Sequence, residues 1–360
     1  MKSTIRNIIF IIVSFTIGGV ILYYLYTNYN EAYLEQLRLE GVPLQGNTLM
    51  KKLKNDFLSA SPFWIFVALL CFTLSNVSRA MRWNLLLKPL GYRPRFINTL
   101  LSVLVTYFVN LFIPRMGEVM RAAALNRSEK VPVEKSMGTI VVGRIMDVVM
   151  LLLFIGAAFL LEYDTLWSWL SDEAGNEGDG LFSNPIILVL LGLGLVGLVV
   201  FLVFRKKIVQ TALYKKVIAI VLGFWEGLMS VKKLESPGVF IFHTVFIWAM
   251  YFLMNYIFFF AFAPTSELAP KVALMVFVFG AFGIVIPSPG GMGTYHWLVV
   301  AALGIYGINQ LDAFSFANIA FFSINIFCNI FLGIVSVILL FLINKNYTPS
   351  HVQVETTVEK

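Results

Sequence analysis

The most chemically suggestive stretch of this sequence is Asn110-x-x-x-Pro114-Arg115-x-Gly117-Glu118-x-x-Arg121. Pro114 and Gly117 break a helix and free backbone groups. A helix restarting near Gly117 points its N–H groups and positive dipole end past the break, which favours an anion. Arg115 adds a forked donor matched to phosphate. Glu118 and Arg121 stand at i, i+3 on one face of the restarted helix, spaced to pair. The combination suits capture of an anionic group; the plainer reading is a solvated salt bridge in a cytoplasmic loop.

Four more charges stand in apolar surroundings. Arg144 and Asp147 lie at i, i+3 inside the run Met137–Leu161. They read either as a structural pair or as a functional one, with Asp147 free to accept from Arg115 or Arg121 instead. Arg79 and Arg82, followed by Trp83, close the run Pro62–Leu87. They read either as snorkelling cations with an aromatic anchor or as a clamp on a lipid phosphate. A second break follows at Pro287-Ser288-Pro289-Gly290-Gly291-Met292-Gly293, where backbone can approach a ligand closely, and His296 stands three residues beyond it. An imidazole there titrates, binds a phosphate, or simply packs. His243 carries a weaker form of the same signal. Asn318, Asn325 and Asn329 share one helical face and suit hydrogen bonds between helices.

No P-loop, GxSxG, HExxH or cysteine–histidine cluster occurs. Cys71 and Cys328 sit in apolar runs as small core residues. Catalytic residues, metals and cofactors are therefore not expected, and the chain is read as a non-enzyme.

The elements that must position these residues are set by composition. Of 360 residues, 59% are apolar and only 13% charged, about half the charge of a soluble domain. Mean hydropathy is +0.82. Soluble enzymes, disordered chains and disulfide scaffolds are excluded; an integral membrane protein remains. The net charge of +7 fits basic cytoplasmic loops rather than nucleic acid. Apolar runs occupy Ile8–Tyr26, Pro62–Leu87, Phe96–Ile113, Met137–Leu161, Pro185–Phe204, Pro237–Ala263, Val272–Ile286, Trp297–Ile308 and Phe314–Ile343. The first follows Lys2 and Arg6, is too long for a signal peptide and lacks a small-residue cleavage site, so it reads as a retained span. Leu49, Met50, Leu53 and Phe57 beside Lys51, Lys52 and Lys54 suggest a short helix on the membrane interface.

The connections 88–95, 115–135 and 205–233 are basic, whereas 162–184 is purely acidic. The basic ones belong in the cytoplasm and the acidic one outside. Both ends of Phe96–Ile113 then face the cytoplasm, which one crossing helix cannot satisfy. A re-entrant hairpin broken at 114–117 resolves the conflict, and Val272–Ile308, broken at 287–293, has the same form. The fold expected is an all-α polytopic membrane protein with about six full transmembrane helices and two Pro/Gly-broken re-entrant hairpins; eight or nine ordinary spans are the alternative. The halves, about 1–162 and 185–344, form an inverted repeat within one membrane domain, 1–344, with a midplane site between the breaks. Residues 345–360 form a polar cytoplasmic tail, and both termini lie inside.

Taken in order, Arg79-x-x-Arg82-Trp83, the Asn110–Arg121 motif, Arg144-x-x-Asp147 and Pro287-Ser288-Pro289-Gly290-Gly291-x-Gly293 resemble the lysylphosphatidylglycerol synthase transmembrane region, the flippase-like membrane family. The resemblance runs from about residue 60 to residue 340. It departs at His296, where the family usually carries Glu, and at Gly143, where an acid often stands. It implies a protein of the bacterial or archaeal cytoplasmic membrane that moves an anionic or isoprenoid-linked lipid between leaflets. The alternatives are a membrane-embedded lipid-modifying enzyme and a lipid-binding accessory subunit of envelope assembly. No soluble aminoacyl-transfer domain accompanies the membrane region, so synthase activity is not expected. Partners are membrane lipids and, for the accessory reading, envelope-biosynthesis proteins.

Overall fold

The computed structural model describes residues 2–165, 167, 168, 218, 222, 223, 225–286 and 288–349, with side chains from residue 12 onward. The expected span Pro185–Phe204, most of the acidic and last basic connections, the end of the tail and Pro287 lie outside the described residues. The chain divides into two compact units, Met1–Phe154 with Leu234–Lys360, and Ile155–Lys233. In the second unit the description covers chiefly the helical residues 155–161 and 225–230. Everything below concerns the first.

Helix α1 runs from Lys2 to Leu39, 38 residues, well beyond the expected end at Tyr26. The interfacial helix appears as α2, Leu49–Ser59, capped by the Thr48 hydroxyl, which accepts from the Lys51 N–H. Long apolar helices follow: α3 (Pro62–Leu87), α6 (Val133–Leu161) and α7 (Pro237–Ala261). Each of α3 and α7 begins on a proline, whose missing N–H and fixed φ cost nothing in the first turn. The last long helix is continuous from Gln310 to Ile343. It comprises α10 (Gln310–Phe321), a π-helical stretch Phe322–Asn329, and α11 (Ile330–Ile343). These four segments are long and apolar enough to cross a membrane. Phe331, Ile338, Phe341 and Leu342 of α11 and Leu152 and Leu153 of α6 are more than half exposed, as lipid-facing side chains are.

Among the described residues, the remaining apolar runs are short and form two broken hairpins. Helix α4 (Phe96–Phe112, 17 residues) spans roughly 25 Å, short of a hydrocarbon core of about 30 Å, and α5 (Gly117–Glu129) folds back along it. Glycine at 117 lets the two helices touch: a Cβ there would stand 2.2 Å from the Thr106 carbonyl oxygen. The turn between them holds Arg115 at φ 67°, a left-handed conformation that disfavours a side chain. At the tip, the Gly117 N–H donates to Asn110 Oδ1 at 2.8 Å. At the open end, the buried Glu129 carboxylate accepts from the Arg95 N–H and the Asn98 amide at 3.0 and 2.6 Å. The second hairpin pairs α8 (Pro270–Val285) with α9 (Thr294–Gly304). A Cβ at Gly283 would stand 2.7 Å from Tyr295 Cα, and Thr294 Oγ1 lies 2.6 Å from the Gly283 carbonyl oxygen.

The long helices give these hairpins opposite senses. Helices α3 and α7 are antiparallel, since the Ser61 N–H donates to the Ala261 carbonyl at 2.8 Å and Lys88 pairs with Glu235 at 3.1 Å. The open end of the first hairpin lies where α3 ends; that of the second lies where α7 ends. The tips meet between them, with a Cβ at Gly290 only 2.8 Å from Leu111 Cδ2. Each tip is also braced by a long helix. Gly333 of α11 admits Phe108, and Gly293 approaches the Gly18 carbonyl of α1, where a Cβ would stand 2.6 Å away.

The apolar interior forms around Phe72, Phe258, Phe259, Phe314 and Phe316, with a second cluster of Trp83, Leu87, Leu125 and Ile140 between α3, α5 and α6. That second cluster borders the charges.

Candidate anion-binding site

Where α3, α5 and α6 meet, they enclose a narrow cleft whose free volume is about 10 Å³, room for roughly one water until a side chain at its mouth moves. Its walls carry Arg79, Arg82 and Trp83 from α3, Arg121 from α5, and Arg144 and Asp147 from α6. Arg79 and Arg82 are one helical turn apart, so both guanidinia reach the same carboxylate. Arg79 donates to one oxygen of Asp147 at 2.7 Å and Arg82 to the other at 2.9 Å. All three side chains are buried, with Arg82 only 3% exposed. This overturns the snorkelling reading of the two arginines: they point into the bundle because Asp147 neutralises there what lipid would not solvate.

A polar network continues from this triad. Arg79 donates to the Tyr251 hydroxyl at 3.3 Å, and Tyr251 meets the Tyr107 hydroxyl at 2.8 Å. Arg82 also donates to Thr244 at 3.2 Å. Trp83 is fixed in turn by donating its indole N–H to Thr139 at 2.8 Å.

Arg121 is built differently. Its guanidinium lies over the Trp83 ring, 3.8 Å from the centroid. It is 7% exposed, its buried Nε makes no hydrogen bond, and no described carboxylate lies within ion-pair distance. The expected Glu118–Arg121 pair does not form. Glu118 reaches across to Arg144, which is half-exposed and also lies 3.8 Å from Asp147. Residues three apart on α5 share a face, but α6 offers Glu118 a cation on its own side, and the Trp83 ring holds Arg121 on the other. The cluster thus sets four arginines against two carboxylates.

The structure therefore gathers Arg79, Arg82, Glu118, Arg121, Arg144 and Asp147 around one cleft. It places the other expected residues elsewhere. Arg115 is exposed at the first hairpin's turn, and Asn110 spends its carbonyl oxygen on Gly117. Gly290, Gly291 and Gly293 form the second tip, all at positive φ, and the described neighbours of that tip are α1, α4 and the π-helical stretch. His296 is 1% exposed among Tyr295, Phe314 and Phe321, its ring 4.7 Å from that of Phe321, and neither ring nitrogen has a hydrogen-bond partner. His243 bonds Ser78 through Nδ1 at 2.8 Å. The asparagines of the last helix bond within it: Asn318 donates to the Phe314 carbonyl and Asn329 to Asn325. The π-helical turn between them breaks the common face that the spacing implied.

Sequence reasoning missed Trp83 as a site residue, along with Tyr107, Tyr251 and Thr244. Trp83 was visible as an anchor; that it underlies a cation depends on α5 folding back, which spacing does not reveal. No group of three or more metal-ligating side chains occurs among the described residues.

Comparison with known proteins places the chain in a family. The family model of the lysylphosphatidylglycerol synthase TM region matches residues 43–343. A UPF0104 membrane protein of Methanocaldococcus jannaschii is 32% identical over 108 residues, which cover 29% of this chain and 32% of that protein. The match thus spans about a third of that relative's length. No solved structure matches. With several apolar helices and this family model, the chain is a multi-pass membrane protein. It belongs to the family of the lysylphosphatidylglycerol synthase transmembrane region.

Proposed function

We propose that this protein is a lipid translocator that moves an anionic or isoprenoid-linked lipid between the leaflets of the cytoplasmic membrane. One observation carries the reading: a buried arginine cluster with more cations than carboxylates lines a cleft within the helical bundle. Uncompensated charge in hydrocarbon is costly by several kcal/mol per ion, so such a cluster persists where it serves an anionic ligand. Arg121 and the half-exposed Arg144 receive the headgroup phosphate; Arg144 exchanges Glu118 for it. Arg79 and Arg82 stay on Asp147 and hold the site open. Acyl chains remain in lipid beside the exposed apolar faces.

The hairpins are read as re-entrant, the first entering from the cytoplasm and the second from outside. Lys88, Arg93, Arg95, Arg127 and Lys130 crowd the open end of the first, which favours the cytoplasmic side there and at both termini. Two facing tips give a septum thinner than the bilayer, across which a headgroup moves. The protein is read as having no catalytic residues, metal or cofactor; its partners are the membrane lipids themselves.

Leaflet exchange in proteoliposomes holding only this protein tests the reading. A fluorescent phosphatidylglycerol is quenched from outside, and the protected pool is followed. The expected result is loss of that pool, slowed at least about tenfold by Arg121→Gln. Exchange no faster than in empty liposomes, across several anionic and isoprenoid lipids, would contradict it. A chemically altered lipid in the same vesicles would favour the enzymatic alternative.

A further inference from the structure

The charge balance of the cleft narrows the lipid. Arg79 and Arg82 use one carboxylate, Asp147, bidentately between them. Arg144 uses the other, Glu118. Arg121 uses none: it is 7% exposed, rests on Trp83, and leaves its buried Nε without an acceptor in the cleft wall. The hydroxyls around the triad, Tyr107, Tyr251 and Thr244, carry no charge. His243, on α7 like Tyr251, spends Nδ1 on Ser78 and adds no negative charge. Four guanidinia against two carboxylates leave two positive charges in a water-poor cleft.

We infer that the site is matched to a dianionic phosphate group, a phosphomonoester, in preference to the single negative charge of a phosphodiester lipid. This inference rests on the translocator reading and specifies its substrate class. A phosphodiester leaves one cation uncompensated; a phosphomonoester leaves none. The arginines also suit it geometrically. A terminal phosphate presents three free oxygens to the guanidinia of Arg121 and Arg144, whereas a diester presents two.

Two sources carry this chemistry, a lipid phosphomonoester and free inorganic phosphate, and competition separates them. The full-length protein in neutral micelles is loaded with fluorescent phosphatidic acid. Phosphatidic acid, phosphatidylglycerol with the same chains, and inorganic phosphate then compete for it. At pH 8 phosphatidic acid is expected to displace the probe at a concentration at least about tenfold below that of phosphatidylglycerol. The preference should shrink toward unity as pH falls below about 6, where a phosphomonoester takes up its second proton. Inorganic phosphate should compete only at far higher concentration. Arg121→Gln should bring the two lipids within about twofold; Arg144→Gln, at a half-exposed position that tolerates change, provides the same test if the first variant does not fold.

Equal displacement by the two lipids at pH 8 would overturn the inference. It would leave the translocator reading standing if phosphatidylglycerol still exchanged between leaflets. Competition by inorganic phosphate as strong as by phosphatidic acid would overturn the lipid source instead. A preference unchanged in both variants would place the discriminating charge elsewhere and also overturn it.

Discussion

The two broken hairpins share a construction and differ in what they carry. Both restart on a glycine pressed against the opposing helix or a neighbouring backbone, Gly117 in one and Gly293 in the other. Counted from those glycines, the first hairpin continues Glu118-Val119-Met120-Arg121 and the second Thr294-Tyr295-His296-Trp297. Where one presents a carboxylate to Arg144, the other presents a hydroxyl to a carbonyl 2.6 Å away. Where one buries an arginine on Trp83, the other exposes Trp297, 52% of it. The preceding long helices differ likewise: α3 carries Arg79 and Arg82, while α7, counted residue for residue from its first proline, carries Met254 and Ile257 there. The same backbone device therefore serves two ends. It frames a charged cleft in one half and a mainly apolar packed contact in the other.

That contrast breaks most visibly at Asp147. Asp147→Asn strands Arg79 and Arg82, and removing one partner of a buried pair costs about 3–5 kcal/mol. A large fall in melting temperature in detergent is expected, with retention only if Arg79 and Arg82 are replaced together; a small shift would mean the triad is solvated. The glycines come next and test what the halves share. Gly117→Ala and Gly283→Ala should each cost about 1–3 kcal/mol by forcing a Cβ into backbone or its near neighbours. Gly304→Ala, with nothing within 4 Å, should not lower the melting temperature. If Gly117→Ala melts like wild type, the first hairpin is not closed as described.

The interior of the second hairpin gives a smaller and opposite effect. His296 buries two ring nitrogens without partners among aromatic rings. His296→Phe should raise stability by about 1 kcal/mol, since an unsatisfied polar group is replaced by an apolar one of similar shape. A loss would show that a water or another group serves the imidazole.

The smallest effect lies outside the spans. Lys52 of α2 pairs with Asp56 at 2.7 Å and with Asp312 at the start of α10 at 2.9 Å. Burial alone would lower the Lys52 pKa, but the two carboxylates outweigh it and hold it above the ordinary lysine value. A raised folded-state pKa means the stabilisation is complete below about pH 10.4 and fades as pH rises through the raised value. A titration of melting temperature should therefore show a loss of less than about 1 kcal/mol at strongly alkaline pH, absent in Lys52→Met. A loss near neutral pH that depends on Lys52 would contradict the assignment.

Much of the framework was legible. Pro114 and Gly117, and Gly290 to Gly293, mark the two breaks because residues that end helices are scarce inside apolar runs. Arg79, Arg82, Arg144 and Asp147 stood out because charge in such runs demands a partner. Which partner could not be read. Spacing at i, i+3 suggested Glu118 with Arg121 and Arg144 with Asp147, whereas the shorter contacts join Glu118 to Arg144 and Asp147 to α3. Local spacing counts only neighbours on one helix; here three helices converge, and the choice belongs to tertiary packing. The type and position of Arg115 point to an anion site, yet it is exposed at a turn, and the cation of that motif that lines the cleft is Arg121, six residues on. The π-helical turn at Phe322–Asn329 likewise has no sequence signal that would have separated Asn318 from Asn325 and Asn329.

The central claim is that the first hairpin's charge, and not the second hairpin's matching position, carries lipid across. Leaflet exchange measured side by side for Arg121→Gln and Trp297→Gln tests it most directly, with both variants checked for equal melting temperature and reconstitution. The account predicts that Arg121→Gln slows exchange at least about tenfold while Trp297→Gln stays within about twofold of wild type. Equal slowing in both, or none in Arg121→Gln, would contradict it.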